Sequence, residues 1–179
     1  NEPASHSRRV AINAAFDRIS LRLAGGDEHA LKTFNLIINE LKLNNFEPVI
    51  VAHKQDDLQI IKYLDKSNKN IPTFNLTDMT FKEVIDFYTT VCLSIGMRGH
   101  SQMIPLGMRI PIFSVITHDK MRYLLEDINQ SKWGAELTSE TFIDSNDYIL
   151  LIATLLRSND SNKMQKKLTK LRYLKTEIN

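Results

Sequence analysis

Arg98 and His100 stand two residues apart in the segment IGMRGHSQMIPLGM, residues 95–108, and no other pairing of residue types in the chain points so directly to chemistry. Arginine offers a planar, always-charged fork that fits a carboxylate or a phosphate. Histidine is the side chain best poised to move a proton near neutral pH. Gly96 precedes the pair, Gly99 separates its members, and both are expected to let the backbone approach a ligand closely. Met103, Ile104 and Leu106 predict a helix just after the turn, whose first N–H groups and dipole favour an anion. Lys120, in THDKM, follows twenty residues after His100 and would bring a second cation to the same crevice. Two cations and one titratable base suit a small polyanion. By spacing alone, an Arg and a His in a turn and a lone Lys are more often solvated surface residues than a site, so their weight depends on the elements that hold them.

Those elements alternate. Residues 9–14 form a short apolar run expected to be a buried first strand, and residues 15–27, ending in Gly25 and Gly26, read as a loop. From Asp27, an N-cap, the apolar residues Ala30, Phe34, Ile37, Ile38 and Leu41 keep a helical period until Asn44 and Asn45 stop it. PVIVA at 48–52 reads as a strand, 57–64 as a short amphipathic helix, and 71–76 as a strand that Pro72 confines to an edge or a strand start. Thr80 and Glu83 make a capping box that opens a helix through Tyr88. Strand 91–95, helix 101–107, strand 112–116 and helix 119–128 follow, and Asp144 caps a last helix through Leu156. Strand and helix alternating with short connections predict an α/β fold: a Rossmann-like parallel sheet with helices on both faces. Such sheets bind ligands beyond the carboxyl ends of their strands, which singles out the loops after Ala14, Ala52, Ile95 and Ile116.

The chain has 179 residues, 42% hydrophobic and 25% charged, ordinary values for one globular domain. Its net charge of +2 is uneven: residues 157–179 carry +5 and the rest about −3. A mildly acidic body is no footprint for nucleic acid. Cys92 is the single cysteine, which excludes an intrachain disulfide and a cysteine-based zinc site. No apolar run approaches the roughly 20 residues that span a bilayer, and the N-terminus carries no apolar signal core. A cytoplasmic setting is the expectation. Residues 1–7 read as a lead or linker, 8–157 as the α/β domain, and 158–179 as a basic amphipathic helix.

The stretch from 91 to 128, VCLSIGMRGHSQMIPLGMRIPIFSVITHDKMRYLLEDI, resembles the signature region of the polysaccharide pyruvyl transferase family. That pattern is a strand, an Arg-x-His turn, a small-residue helix ending in Gly, then Pro, a strand and a Lys-bearing loop. Here those positions are Arg98, His100, Gly107, Pro111 and Lys120. The loop His53-Lys54-Gln55-Asp56-Asp57 is similar to the family's second loop, and the likeness covers roughly residues 9–156. Gly99 stands where a larger apolar residue is usual, and Thr117 and His118 where Tyr is common. The resemblance implies the C-terminal half of a two-domain enzyme built like a B-type glycosyltransferase, with a missing N-terminal domain completing the cleft, so that the isolated half is expected to be inactive. It implies transfer of an enolpyruvyl unit from phosphoenolpyruvate to two hydroxyls of a sugar or glycan acceptor as a ketal, without a cofactor or metal. In that reaction His100 would move the proton while Arg98 and Lys120 hold phosphate and carboxylate.

Two other classes stand beside this reading. A B-type glycosyltransferase domain would bind a nucleotide sugar at similar loops, but no Asp or Glu lies between Asp86 and Asp119 to hold a ribose, and no D-x-D occurs. A non-enzymatic anion- or sugar-binding domain would keep the pocket alone. Among weaker motifs, His53 with Asp56 and Asp57 reads better as charges capping the next helix than as a metal site, and His118-Asp119 as a solvated loop pair. Met97, Met103 and Met108 read as core, and Trp133 as a loop anchor. The tail at 161–178 places Met164, Leu168, Leu171 and Ile178 on one stripe with its lysines mostly elsewhere. Such a stripe most often packs on its own domain; it could also cross to the missing domain, which is the reading favoured here, or rest on an anionic membrane.

Overall fold

The computed structural model describes residues 7–17 and 27–136. The expected helix at 144–156 and the basic tail lie outside them. The described residues form a six-stranded, all-parallel sheet, with β1 (Arg9–Asn13), β2 (Glu47–Ala52), β3 (Thr73–Asn75), β4 (Val91–Gly96), β5 (Ile112–Ile116) and β6 (Gly134–Glu136) in the order β3-β2-β1-β4-β5-β6. The α helices are α1 (Asp27–Leu43), α2 (Phe81–Tyr88), α3 (His100–Gly107) and α4 (Asp119–Asp127). This is the Rossmann-like arrangement that the alternating pattern predicts. No described helix is long and apolar enough to cross a membrane.

Because helices cover both faces, the central strands are apolar at nearly every position instead of alternating. Val10, Ile12, Ile50, Leu93, Ile95, Phe113 and Val115 face α1, where Ala30, Phe34, Ile37, Ile38 and Leu41 cover them. Ala11, Val49, Val51 and Val91 face the other way, against Phe87, Tyr88 and Ile110. A third cluster joins Ile112 and Ile116 to Met121, Leu125 and Ile128 under α4. The Thr80–Glu83 capping box closes reciprocally, with the Glu83 Oε2 accepting from the Thr80 N–H at 2.7 Å. Helices α1, α3 and α4 end alike, each followed by a left-handed residue, Asn45, Arg109 and Asn129. The next N–H then reaches five residues back, at 2.7–2.9 Å, to Leu41, Pro105 and Leu125, which satisfies carbonyls the helix leaves open.

Several expectations change. Residues 57–64 are not α-helical: the segment Gln55–Tyr63 winds as a 3-10 helix, whose eclipsed i,i+3 positions set Asp57 and Ile60 on one buried line. The strand expected at 71–76 shrinks to Thr73–Asn75, at the sheet edge as Pro72 requires. A sixth strand, Gly134–Glu136, extends the sheet past β5, where a Cβ on Gly134 would lie 2.8 Å from the Ser114 carbonyl. Met97 is buried and Met108 half-buried, but Met103 is 60% exposed and belongs to no core. In the stretch read as a loop, Phe16 and Asp17 already turn helical.

Candidate active site

The strand order reverses between β1 and β4, and a doubly wound sheet binds its ligands in the crevice outside such a switch point. Four chain segments reach that edge: Asn13 to Asp17 after β1, His53 to Asp57 after β2, Arg98 to His100 after β4, and His118 to Lys120 after β5.

Asp57 is the anchor. Its side chain is fully buried, and its Oδ2 accepts from Asn13 Nδ2 at 2.9 Å, the His53 N–H at 3.0 Å and the Lys54 N–H at 3.2 Å. Arg98 closes on the same carboxylate side-on, with Nε at 2.7 and 2.9 Å from its two oxygens and Nη2 at 2.6 Å from Oδ1. Nη2 also reaches Asp17 Oδ1 at 2.5 Å. Burial opposes the Arg98 charge, but Asp57 and Asp17 outweigh it and push the guanidinium above its ordinary range. Asn13 joins three strands: it donates to the Val51 carbonyl at 2.9 Å and accepts from the Arg98 N–H at 3.2 Å. The capping expectation for the second loop thus holds for Asp57, but the residue is a buried ionic partner rather than a loop charge. Among the described residues no cluster of metal-ligand types forms.

Asp17 and Lys54 form the outer layer. Lys54 Nζ lies 3.2 Å from Asp17 Oδ2 and 2.9 Å from Asp56. Burial would raise the Asp17 carboxyl, yet the hydrogen bond from Lys54 and the Arg98 charge hold it below its ordinary value.

Beside this clasp lies a row of rings. His53 Nε2 is 2.8 Å from the Tyr88 hydroxyl, and the His53 and His100 rings stack at 6.2 Å between centroids and 30° between planes. His53 titrates down at about 4, first because it is buried and then because positive charge at His100 and Arg98 outweighs the help of Asp57. It is therefore a neutral imidazole at neutral pH. Burial also raises the Tyr88 phenol, which stays protonated. His100 itself is exposed at the first residue of α3.

A buried polar lattice fixes where α3 begins. Ser114 Oγ donates to Gln102 Oε1 at 2.9 Å, Gln102 Nε2 donates to the Ser101 carbonyl at 3.0 Å, and Ser94 Oγ donates to the same carbonyl at 2.7 Å. Ser101 Oγ in turn donates to the Arg98 carbonyl at 2.7 Å. The glycines serve this lattice and not a ligand. A Cβ on Gly96 would sit 2.0 Å from Ser101 Oγ, so that glycine admits the first turn of α3. Gly99 has an ordinary helical φ of −53° and nothing within 4 Å of its Cβ position, so it neither relieves crowding nor needs to be glycine.

Of the three residues singled out by sequence, Arg98 and His100 share one turn. Lys120 lies one strand over, exposed at the start of α4, and no hydrogen bond or ion pair joins its side chain to either of them. Its N–H caps onto His118 Nδ1 at 3.2 Å, so His118 is the N-cap of α4, while Asp119 pairs with Arg122 at 2.8 Å. The sequence points to the loop of His53, Lys54 and Asp57 without giving those residues a role in the site, and Asn13, Asp17 and Tyr88 escape it altogether. A buried-strand run ending in a polar residue, as in IN at 12–13 and AH at 52–53, is the signal that marks Asn13 and His53. Compared with known proteins, the chain matches no family model, no curated protein and no solved structure.

Proposed function

We propose that this chain is the C-terminal domain of a polysaccharide pyruvyl transferase, moving the enolpyruvyl unit of phosphoenolpyruvate onto a hydroxyl pair of a sugar as a ketal. The observation that carries it is the grouping of His100, a second imidazole at His53 and the Arg98 guanidinium at the carboxyl edge, beside the switch in strand order. In the proposed reaction a proton is added to the methylene carbon of phosphoenolpyruvate. The adjacent carbon becomes oxocarbenium-like, and a sugar hydroxyl bonds to it while losing its own proton to a base. The bond to phosphate then breaks with its electron pair going to the phosphate oxygen, and the second hydroxyl closes the ketal as its proton passes to the departing phosphate. One group that first gives and then takes a proton serves both ends, and exposed His100 is suited to it.

The Arg98 role narrows from the one its type alone suggests. With Nε and Nη2 held by the buried Asp57, that side of the guanidinium positions the turn, and its outer edge, Nη1 with the Nη2 contact to Asp17, is where a substrate can meet it. Lys120, at the start of α4, is assigned the far end of the donor. The test is selective stabilisation: phosphoenolpyruvate should raise the melting temperature of the full chain, because a ligand that binds only the folded state stabilises it by mass action. A rise with nucleoside diphosphates and none with phosphoenolpyruvate would favour a nucleotide-sugar transferase instead.

A further inference from the structure

Two carboxylates share the Arg98 guanidinium, and they are not equivalent. Asp57 is completely buried, with both oxygens committed to Arg98, Asn13 and the backbone of the second loop. It is part of the frame. Asp17 arrives from the loop after β1 with its side chain 25% exposed, and it spans two cations, Oδ1 on Arg98 Nη2 and Oδ2 on Lys54 Nζ at 3.2 Å. One oxygen on each of two cations is the pose a small carboxylate ligand adopts between an Arg and a Lys.

Counting charge supports the distinction. Arg98 and Lys54 face Asp17, Asp56 and Asp57, one negative charge in excess. An anion approaching this crevice with Asp17 in place meets net repulsion. An anion that takes the Asp17 position leaves the local charge unchanged and inherits both cations. Arg98 and the exposed His100 belong to one turn, so a carboxylate seated there lies on the same loop as that imidazole.

We propose that Arg98 and Lys54 form a carboxylate-binding subsite whose place is held by Asp17, so that a substrate carboxylate must displace Asp17 to bind. The subsite stands on the geometry of the cluster. Only its assignment to the carboxylate of phosphoenolpyruvate rests on the proposed pyruvyl transfer. Lys54 thereby becomes a ligand contact, and Asp17 a gatekeeper that weakens binding of every carboxylate by competing for the same two cations.

The test is calorimetric titration of the full chain with three probes: pyruvate, which has the carboxylate alone, inorganic phosphate, which has none, and phosphoenolpyruvate. Asp17→Asn keeps the shape and removes the charge, and Asp17→Ser serves as a second variant if the amide is poorly tolerated. The expected result is several-fold tighter binding of pyruvate and phosphoenolpyruvate by both variants, a clearly smaller gain for phosphate, which gains only from the removed charge, and loss of the carboxylate gain when Lys54→Met is added. Binding of pyruvate no tighter than in the parent, an equal gain for phosphate, or a gain that survives Lys54→Met would each overturn the subsite. Tighter pyruvate binding without turnover of phosphoenolpyruvate in the complete enzyme would sink pyruvyl transfer and leave the subsite standing. Phosphoenolpyruvate turnover with no effect of Asp17→Asn on binding would do the reverse.

Discussion

Replacing Asp57 by asparagine keeps the shape of the side chain and removes the one charge that the second loop buries. The carboxylate serves two groups of donors: on one side Asn13 Nδ2 and the N–H groups of His53 and Lys54, on the other Arg98 Nε and Nη2. An amide can accept on one side only. With its oxygen toward Asn13 and the backbone, its NH₂ points at the guanidinium, donor against donor. The pair with Arg98 is then lost, two charge-assisted hydrogen bonds at about 1.5–3 kcal/mol each. Asp17 remains on Nη2 and recovers part of this, so the expected loss is about 3 kcal/mol, the lower end for breaking a buried ion pair. Urea unfolding should show it as a lower midpoint at unchanged slope. Lys82→Ala is the control. It removes a 2.6 Å pair with Asp86 whose members are 84% and 59% exposed, and should barely move the midpoint. A loss below about 1 kcal/mol for Asp57→Asn, no more than an ordinary substitution costs, would refute the clasp as the frame of the site.

His53 binds its proton at about 4 when folded against an ordinary 6.5, so the unfolded chain takes up the proton first. Its contribution is full above pH 6.5 and is lost as pH falls toward 4, on the order of 3 kcal/mol at most. The stability–pH curve of His53→Gln should be flatter than the parent curve over that window, and a parallel curve would contradict the buried neutral ring. Gly96→Ala should cost at least about 2 kcal/mol, since its Cβ meets Ser101 and forces a shift or strain. Gly99→Ala should stay within about 0.5 kcal/mol, and equal effects in urea unfolding would refute the assignment of the two glycines. Burial pushes the Cys92 thiol up to about 11, so at pH 8 it should react with a disulfide reagent far more slowly than free cysteine.

The frame of the fold was legible because burial on both faces writes itself into the strands. PVIVA and IFSVI can hardly be anything else between helical periods, and Pro72 marked the edge. Strand β6 was not legible, since GAE has no apolar run and is a strand only because α4 returns it beside Ser114. The site was legible where it is local, at Arg98 and His100 in one turn. It was illegible where it is made across the sheet. Asp57 and Arg98 are 41 residues apart, Asp17 and Arg98 are 81, and His53 meets Tyr88 over 35. No period or short motif encodes such pairings. The two pairings of Arg98 follow from strand order, which brings the ends of β1, β2 and β4 together once the sheet has formed. The tight winding of Gln55–Tyr63 escaped for the same reason, because its inward line includes a carboxylate whose partner is elsewhere.

The most direct measurement is turnover of phosphoenolpyruvate by the full-length protein in the presence of a glycan acceptor, following phosphate release and acid-labile pyruvate on the glycan together. The expected result is both products in equal amounts from the parent. In His100→Ala, turnover should fall by at least about a hundredfold, the usual contribution of a positioned acid–base group, while affinity for phosphoenolpyruvate is kept. Phosphate release without glycan-bound pyruvate, or near-normal turnover in His100→Ala, would contradict it.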